Sequence, residues 1–213
     1  NPYANRDPRL AMSILTNNVE FKDRTIEVWT GGRDGKGVIH ATRTGYYIYK
    51  FIDPNLDLLQ NRTSVHHWVI MRYAEILLSY AEAMNEAYGP TGNVGYRLNA
   101  VRALNQVRNR VGVEMPAVPT AISKEELREK IRNERRVELA FEDHRFWDVR
   151  RWMIAPETLG TPLRGVEITK ISDEELEYKP IEVEKRTFEP KMYLYPIPQA
   201  DLNTTGWVQN PLW

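Results

Sequence analysis

The chain contains no cysteine, which excludes disulfides, thiolate metal sites and cysteine nucleophiles without identifying a compartment. Net charge is absent too. Lys plus Arg and Asp plus Glu number 29 each, so the balance points neither to nucleic acid nor to an anionic membrane. No apolar run approaches the roughly 18 residues that a membrane-crossing helix requires. G-x-S-x-G is missing, and with it the hydrolase nucleophile elbow. H-E-x-x-H is also missing, and the adjacent His66 and His67 point to different sides of any regular element, so no metal site is expected. The loop Gly31–Gly37 is not a phosphate loop. Three residues, not the required four, separate Gly31 from Gly35-Lys36, and Gly37 stands where Ser or Thr would hold magnesium. A hairpin turn is the better reading. Asn1-Pro2-Tyr3 has no initiator Met, basic n-region or apolar h-region, which suggests processing or excision from a longer protein.

What is present suits a soluble globular chain: 213 residues, 42% of them hydrophobic, with a mean hydropathy of -0.55. A chain of this size can bury roughly 70% of its unfolded surface, enough for one domain with a sizeable core. Three stretches divide it. Residues 1–65 are irregular and β-leaning, with strand candidates at Thr25–Trp29 and Tyr46–Ile52. Residues 66–155 are helical. Trp68–Tyr88 repeats apolar residues at helical spacing and stops at Gly89-Pro90, and a second helix of about Tyr96–Val111 ends at Gly112. Together they form a hairpin with the dimensions of one tetratricopeptide-type repeat, which must stack on another element to bury its face. Residues 156–213, rich in proline, are expected to be loops, with a short helix or turn at Ser172–Glu175.

Ser123–Trp152 reads as one long helix. Ser123 and Glu126 make a capping box. Leu127, Ile131, Leu139, Phe146, Val149 and Met153 form an apolar stripe, but Arg135, Glu138, Glu142 and Arg145 fall inside it. Buried charge is costly unless it is paired and hydrogen-bonded. Glu134, Glu138 and Glu142 also repel one another at one-turn spacing. The helix therefore needs cations from elsewhere, and Arg72, Arg97, Arg102, Arg108 and Arg110 are available to supply them. Arg135, Glu138, Glu142 and Arg145 are read as a structural ion-pair network, not a catalytic cluster. Carboxylates so paired stay ionised, which argues against a glycoside hydrolase with Glu142 as its acid.

The aromatic residues offer a binding chemistry. Trp29, Tyr46, Tyr47, Tyr49, Trp68, Trp207 and Trp213 lie in or beside expected loops. Flat rings can stack on pyranose faces while nearby polar groups take the hydroxyls. Most such rings cap cores, so one or two contacts are expected. Trp29, Arg33 and Tyr46 are the candidate ligand-binding residues.

Several segments, in order, resemble the SusD/RagB family of outer-membrane nutrient-binding lipoproteins: NPYANRDPRL, TRTGYYIYKFID, RYAEILLSYAEAMNEAYG, ALNQVRNRVGV, ERRVELAFEDHRFWDVRRW and YLYPIPQADLNTTGWVQNP. The resemblance spans nearly the whole chain and corresponds to the C-terminal half of a typical member. It implies a mainly α fold, part of an α–α superhelix, with a tetratricopeptide-like hairpin, a long helix, extensive loops and a few short strands. It also implies non-catalytic capture of a glycan at the cell surface and no cofactor. The implied partners are a SusC-like TonB-dependent transporter and the missing N-terminal half, which would carry the lipid anchor and further helices. Its motifs are scaffold motifs, so it assigns no ligand residue. The competing reading is an interaction scaffold in which the hairpin holds a protein partner.

Overall fold

The computed structural model describes residues 2–213. The first region is built from very short elements: α1 (Arg9–Ser13), β1 (Ile14–Leu15), β2 (Glu20–Phe21), β3 (Arg24–Thr25) and β4 (Tyr47–Ile48). β1 pairs antiparallel with β4, and β2 with β3. The strand expected over Thr25–Trp29 stops at its first residue. Beyond it, the Val28 N–H is taken at 2.8 Å by the Asn17 side chain and the Thr30 N–H at 2.8 Å by the Ile168 carbonyl. Ile26 and Val28 still point inward, into a small core shared with Ile168.

The main core lies among three helices: α2 (Tyr73–Tyr88), α3 (Ala100–Arg108) and α4 (Lys124–Glu138). Leu78, Ala81, Val101, Leu104, Leu127 and Ile131 form its centre. α2 begins five residues later than expected because Arg72, at its N-cap, is extended. It ends where Gly89 adopts φ 73° and donates to the Asn85 carbonyl, a position that suits a residue without Cβ. The start of α3 is set by Asn99, whose side chain accepts from the Arg102 N–H at 2.9 Å, a standard N-cap bond. At α4, Ser123 and Glu126 exchange bonds of 3.1 Å in a capping box. Asn105 ties the α3–α4 loop down by bonding both the N–H and the C=O of Val118, at 2.8 and 2.9 Å.

The long helix expected from Ser123 to Trp152 is two helices. α4 stops at Glu138, and α5 (His144–Arg151) starts after a corner in which Phe141 and Asp143 have φ 65° and 62°. Left-handed backbone costs a non-glycine residue roughly 1–2 kcal/mol, so other contacts must hold the corner. The Lys50 ammonium donates to the carbonyls of Glu138 and Ala140 at 3.3 and 3.0 Å, and the Arg72 guanidinium donates to the Glu138 carbonyl at 2.7 Å. These cations occupy the carbonyls that close α4 and favour its negative dipole end. The stripe ends early as well: Met153 has φ 57° and is 64% exposed.

The C-terminal region is more ordered than its prolines suggest. After α6 (Ala155–Thr158), β5 (Leu163–Lys170) and β6 (Leu176–Glu184) form an antiparallel hairpin. Ser172 and Glu175 lie in its turn. Pro180 faces Val166 in this register, and the Val166 N–H points away from β6 to the Thr44 carbonyl at 2.8 Å. The ladder therefore asks no N–H of Pro180 there. A 3₁₀ turn (Pro190–Tyr193) and α7 (Gln199–Thr205) follow. Arg150 on α5 holds this tail, with Phe146, Phe188 and Tyr195 rings 4.1, 5.1 and 5.6 Å from its guanidinium and a bond to the Met192 carbonyl. Arg150→Ala is expected to lower stability by about 2 kcal/mol, summing cation–π contacts and a charged hydrogen bond. Chemical denaturation followed by tryptophan fluorescence will measure it.

Candidate functional site

One face of α4 and the corner after it carry three carboxylates a helical turn apart: Glu134, Glu138 and Glu142, at 1%, 3% and 6% exposure. Glu134 receives Arg9 and Arg108, both at 2.6 Å. Glu138 receives Arg9 at 2.9 Å, Arg72 at 2.7 Å and Arg110 at 2.5 Å. Glu142 receives Lys50 at 2.5 Å and Arg72 at 2.7 Å. Of the cations expected from sequence, Arg72, Arg108 and Arg110 reach the ladder; Arg97 and Arg102 form no ion pair to it. Arg9 and Lys50 were missed, because nothing local marks a residue more than eighty positions away as a partner. Arg135 lies on another face, bonded to Asp148 at 2.9 Å and Ser79 at 3.1 Å. Arg145 is a correction. Among the described residues it has no ion-pair partner, and burial followed by the nearby Arg136 lowers its pKa. The corner after Glu138 carries Arg145 away from the ladder.

Burial, the largest single influence on Glu138, pushes its pKa up, yet hydrogen bonds from Arg110, Arg72 and Arg9 together hold it at about 2. Glu142 is held below the ordinary carboxylate range in the same way: burial opposes, while Arg72 and Lys50 prevail. These groups remain ionised and bonded, the condition of structural carboxylates and not of proton donors.

The sequence candidates do not converge. Trp29 is half-buried over its own loop; a Cβ on Gly32 would meet its ring at 3.0 Å. The Lys170 ammonium lies 5.1 Å from its ring centre. Arg33, on the same loop, is exposed and, among the described residues, is ion-paired only with Glu27, at 3.3 Å. Tyr46 packs edge-on to Tyr3, 6.3 Å between centres. Trp29 packs against the small core and Tyr46 against Tyr3, and no described contact joins any two of the three.

Exposed rings lie elsewhere. Trp68 is 59% exposed and stacks on Phe51 at 6.3 Å. Phe51 in turn lines a cavity of about 310 Å³ with Met12, Val69 and the outer side of the ion-pair ladder. Trp147 is 61% exposed beside a groove of about 430 Å³ between α2 and α5, with Glu75, Ser79 and Arg151. Sequence named Trp68 among the loop-side rings but did not choose it as a ligand candidate, and α2 begins only at Tyr73. Among the described residues, no group of His, Asp or Glu is arranged to hold a metal ion, and no helix is long and apolar enough to cross a membrane.

Residues 1–213 match the family model described as the SusD family. The chain belongs to the SusD family. Its structure superimposes on a SusD-like protein from Bacteroides fragilis with a TM-score of 0.80 at 32% identity, covering 99% of this chain and 40% of that one. A SusD-like carbohydrate binding protein from the same species aligns with a TM-score of 0.75 at 31% identity, covering 95% and 41%. SusD-like protein P2 of Formosa agariphila is 34% identical over 120 residues, which is 54% of this chain and 22% of that protein. The chain thus spans about two fifths of the solved relatives' length. It shows their mainly helical fold in part, with few and mostly short strands.

Within this SusD-family fold the ladder predicts acid sensitivity. The folded pKa of Glu138 is held at about 2, below the 4.5 of an ordinary glutamate. Its stabilisation is therefore complete above about pH 4.5 and lost as pH falls toward 2. Thermal melts across pH 2–7 should show that loss. Glu138→Gln should flatten it and lower stability at pH 7 by roughly 3 kcal/mol, because cations are left without their partner.

Proposed function

We propose that the protein containing this chain binds an oligosaccharide or polysaccharide at the bacterial outer-membrane surface without cleaving it, and delivers it to a TonB-dependent transporter of the SusC type. Lipid anchoring would come from a part of the protein outside this chain. The observation that carries the reading is the alignment, over 95% of this chain, with a SusD-like carbohydrate binding protein. The chemistry is compatible with it. Rings such as Trp68 and Trp147 are exposed, and amphipathic rings suit stacking on sugar faces. The ladder's carboxylates are held ionised, which supports binding over hydrolysis.

We assign Trp29, Arg33 and Tyr46 as separate points of glycan contact on the loops of the first region. Arg33 is exposed and paired with Glu27 at 3.3 Å, and Trp29 is only half-buried. The full-length protein should bind at least one polysaccharide in affinity electrophoresis and calorimetry across plant, host and microbial glycans, with no reducing sugar released. Trp29→Ala and Arg33→Ala should each weaken that binding about tenfold, roughly 1.4 kcal/mol. A flat response across the whole panel would overturn the reading.

A further inference from the structure

The cavity beneath Phe51 is chemically uneven. Four cations line it, Arg9, Lys50, Arg72 and Arg110, against two carboxylates, Glu138 and Glu142. Both carboxylates are buried and every one of their oxygens already accepts a bond from a cation. The cations differ in what they have left. The Lys50 ammonium directs its donors to the Glu138 carbonyl, the Ala140 carbonyl and the Glu142 carboxylate. Arg72 grips Glu138 and Glu142 through all three of its nitrogens, and Arg9 is divided among Asp7, Glu134 and Glu138.

Arg110 is different. One of its nitrogens bonds Glu138 at 2.5 Å, and its side chain is 39% exposed, against 4% for Arg9, 22% for Lys50 and 29% for Arg72. No other protein acceptor engages it among the described residues, so its guanidinium keeps donors without a protein partner. A guanidinium fork with free donors suits an oxyanion. The same cavity has an apolar wall, Met12, Phe51 and Val69, and the exposed Trp68 ring extends it by stacking on Phe51. Its volume of about 310 Å³ is at the small end of ligand pockets and suits a single sugar unit.

We propose that this cavity is a subsite for an anionic sugar residue, a pyranose bearing a carboxylate or a sulfate ester, with Arg110 receiving the oxyanion and the Phe51–Trp68 pair receiving the ring. It deepens the glycan-binding reading and rests on it. Glu138 and Glu142 hold Arg72 and Lys50 in place, so the cationic wall is rigid before ligand arrives, which reduces the ordering cost of binding.

Calorimetry on the full-length protein tests this with three probes of matched length: an oligogalacturonate, a sulfated galacto-oligosaccharide and a neutral galacto-oligosaccharide. At least one charged probe should bind tenfold or more tightly than the neutral one, and that advantage should shrink as salt is added. Which charged probe wins identifies carboxylate or sulfate as the group recognised. Arg110→Gln should abolish the advantage, bringing the charged probe's affinity down to that of the neutral one. Trp68→Ala, an exposed ring outside the ion-pair ladder, should weaken the charged probe severalfold and keeps the test readable if Arg110→Gln does not fold. Equal affinity for charged and neutral probes, or a preference that survives Arg110→Gln or is untouched by Trp68→Ala, would overturn the subsite. In that case neutral-glycan binding sensitive to Arg33→Ala would leave the broader function standing. Failure of every glycan to bind would overturn both.

Discussion

The structure depends on a buried line of negative charge. Glu134, Glu138 and Glu142 follow one another at one-turn spacing, so their mutual repulsion opposes the local helix. Each must also give up water. Their compensation comes from four separate places: Arg9 in α1, Lys50 after β4, Arg72 at the N-cap of α2, and Arg108 and Arg110 at the end of α3. None of these cations is brought near by sequence alone. The ladder is satisfied only when the irregular first region, the helical hairpin and α4 are docked together, so it couples segments whose own elements are too short to stand alone. An apolar stripe of the same volume can match such a network in stability. What the charges add is register, because each carboxylate has its own partners at its own height along α4.

The same interaction shapes the turn from α4 into α5. Lys50 and Arg72 bind main-chain carbonyls at the end of α4 as well as its carboxylates. That directs the following chain into two left-handed residues, Phe141 and Asp143, and sends α5 across toward the C-terminal tail. There Arg150 gathers three aromatic rings and the Met192 carbonyl. Through the ladder's cations and through Arg150, the N-terminal and C-terminal segments are both fastened to the α4–α5 unit. The outer rim of the ladder is also a cavity wall, so the structural network and the cavity share residues.

Much of the helical framework was legible in the sequence, for local reasons. The Ser123–Glu126 box, the Leu127 and Ile131 core positions and the Gly89 stop all depend on spacing within a turn or two. So did the expectation that the ladder needs outside cations. What was not legible depends on distance. The break after Glu138 has no glycine or proline to announce it and is imposed by Lys50 and Arg72, which also strands Arg145 outside the ladder. The β5–β6 hairpin was hidden by Pro180, where the two-residue alternation of Leu176 and Tyr178 shifts by one position before Ile181 and Val183. The candidate ligand residues were chosen for ring type and loop location. Type does not reveal that Trp29 lies against its own glycine loop, that Tyr46 packs on Tyr3, or that Trp68 is left exposed.

Native-state hydrogen exchange on Lys50→Met tests most directly whether the ladder's cations organise the fold. That change removes one ammonium and leaves two carbonyls and a carboxylate short of a donor. If the cations impose the corner, protection should fall at residues 139–143 and across the pairing of residues 13–15 with residues 47–50. The α2–α3 core around Leu78 and Leu104 should keep its protection. Unchanged protection at residues 139–143, or a uniform loss across the chain, would contradict a structure organised around this ladder.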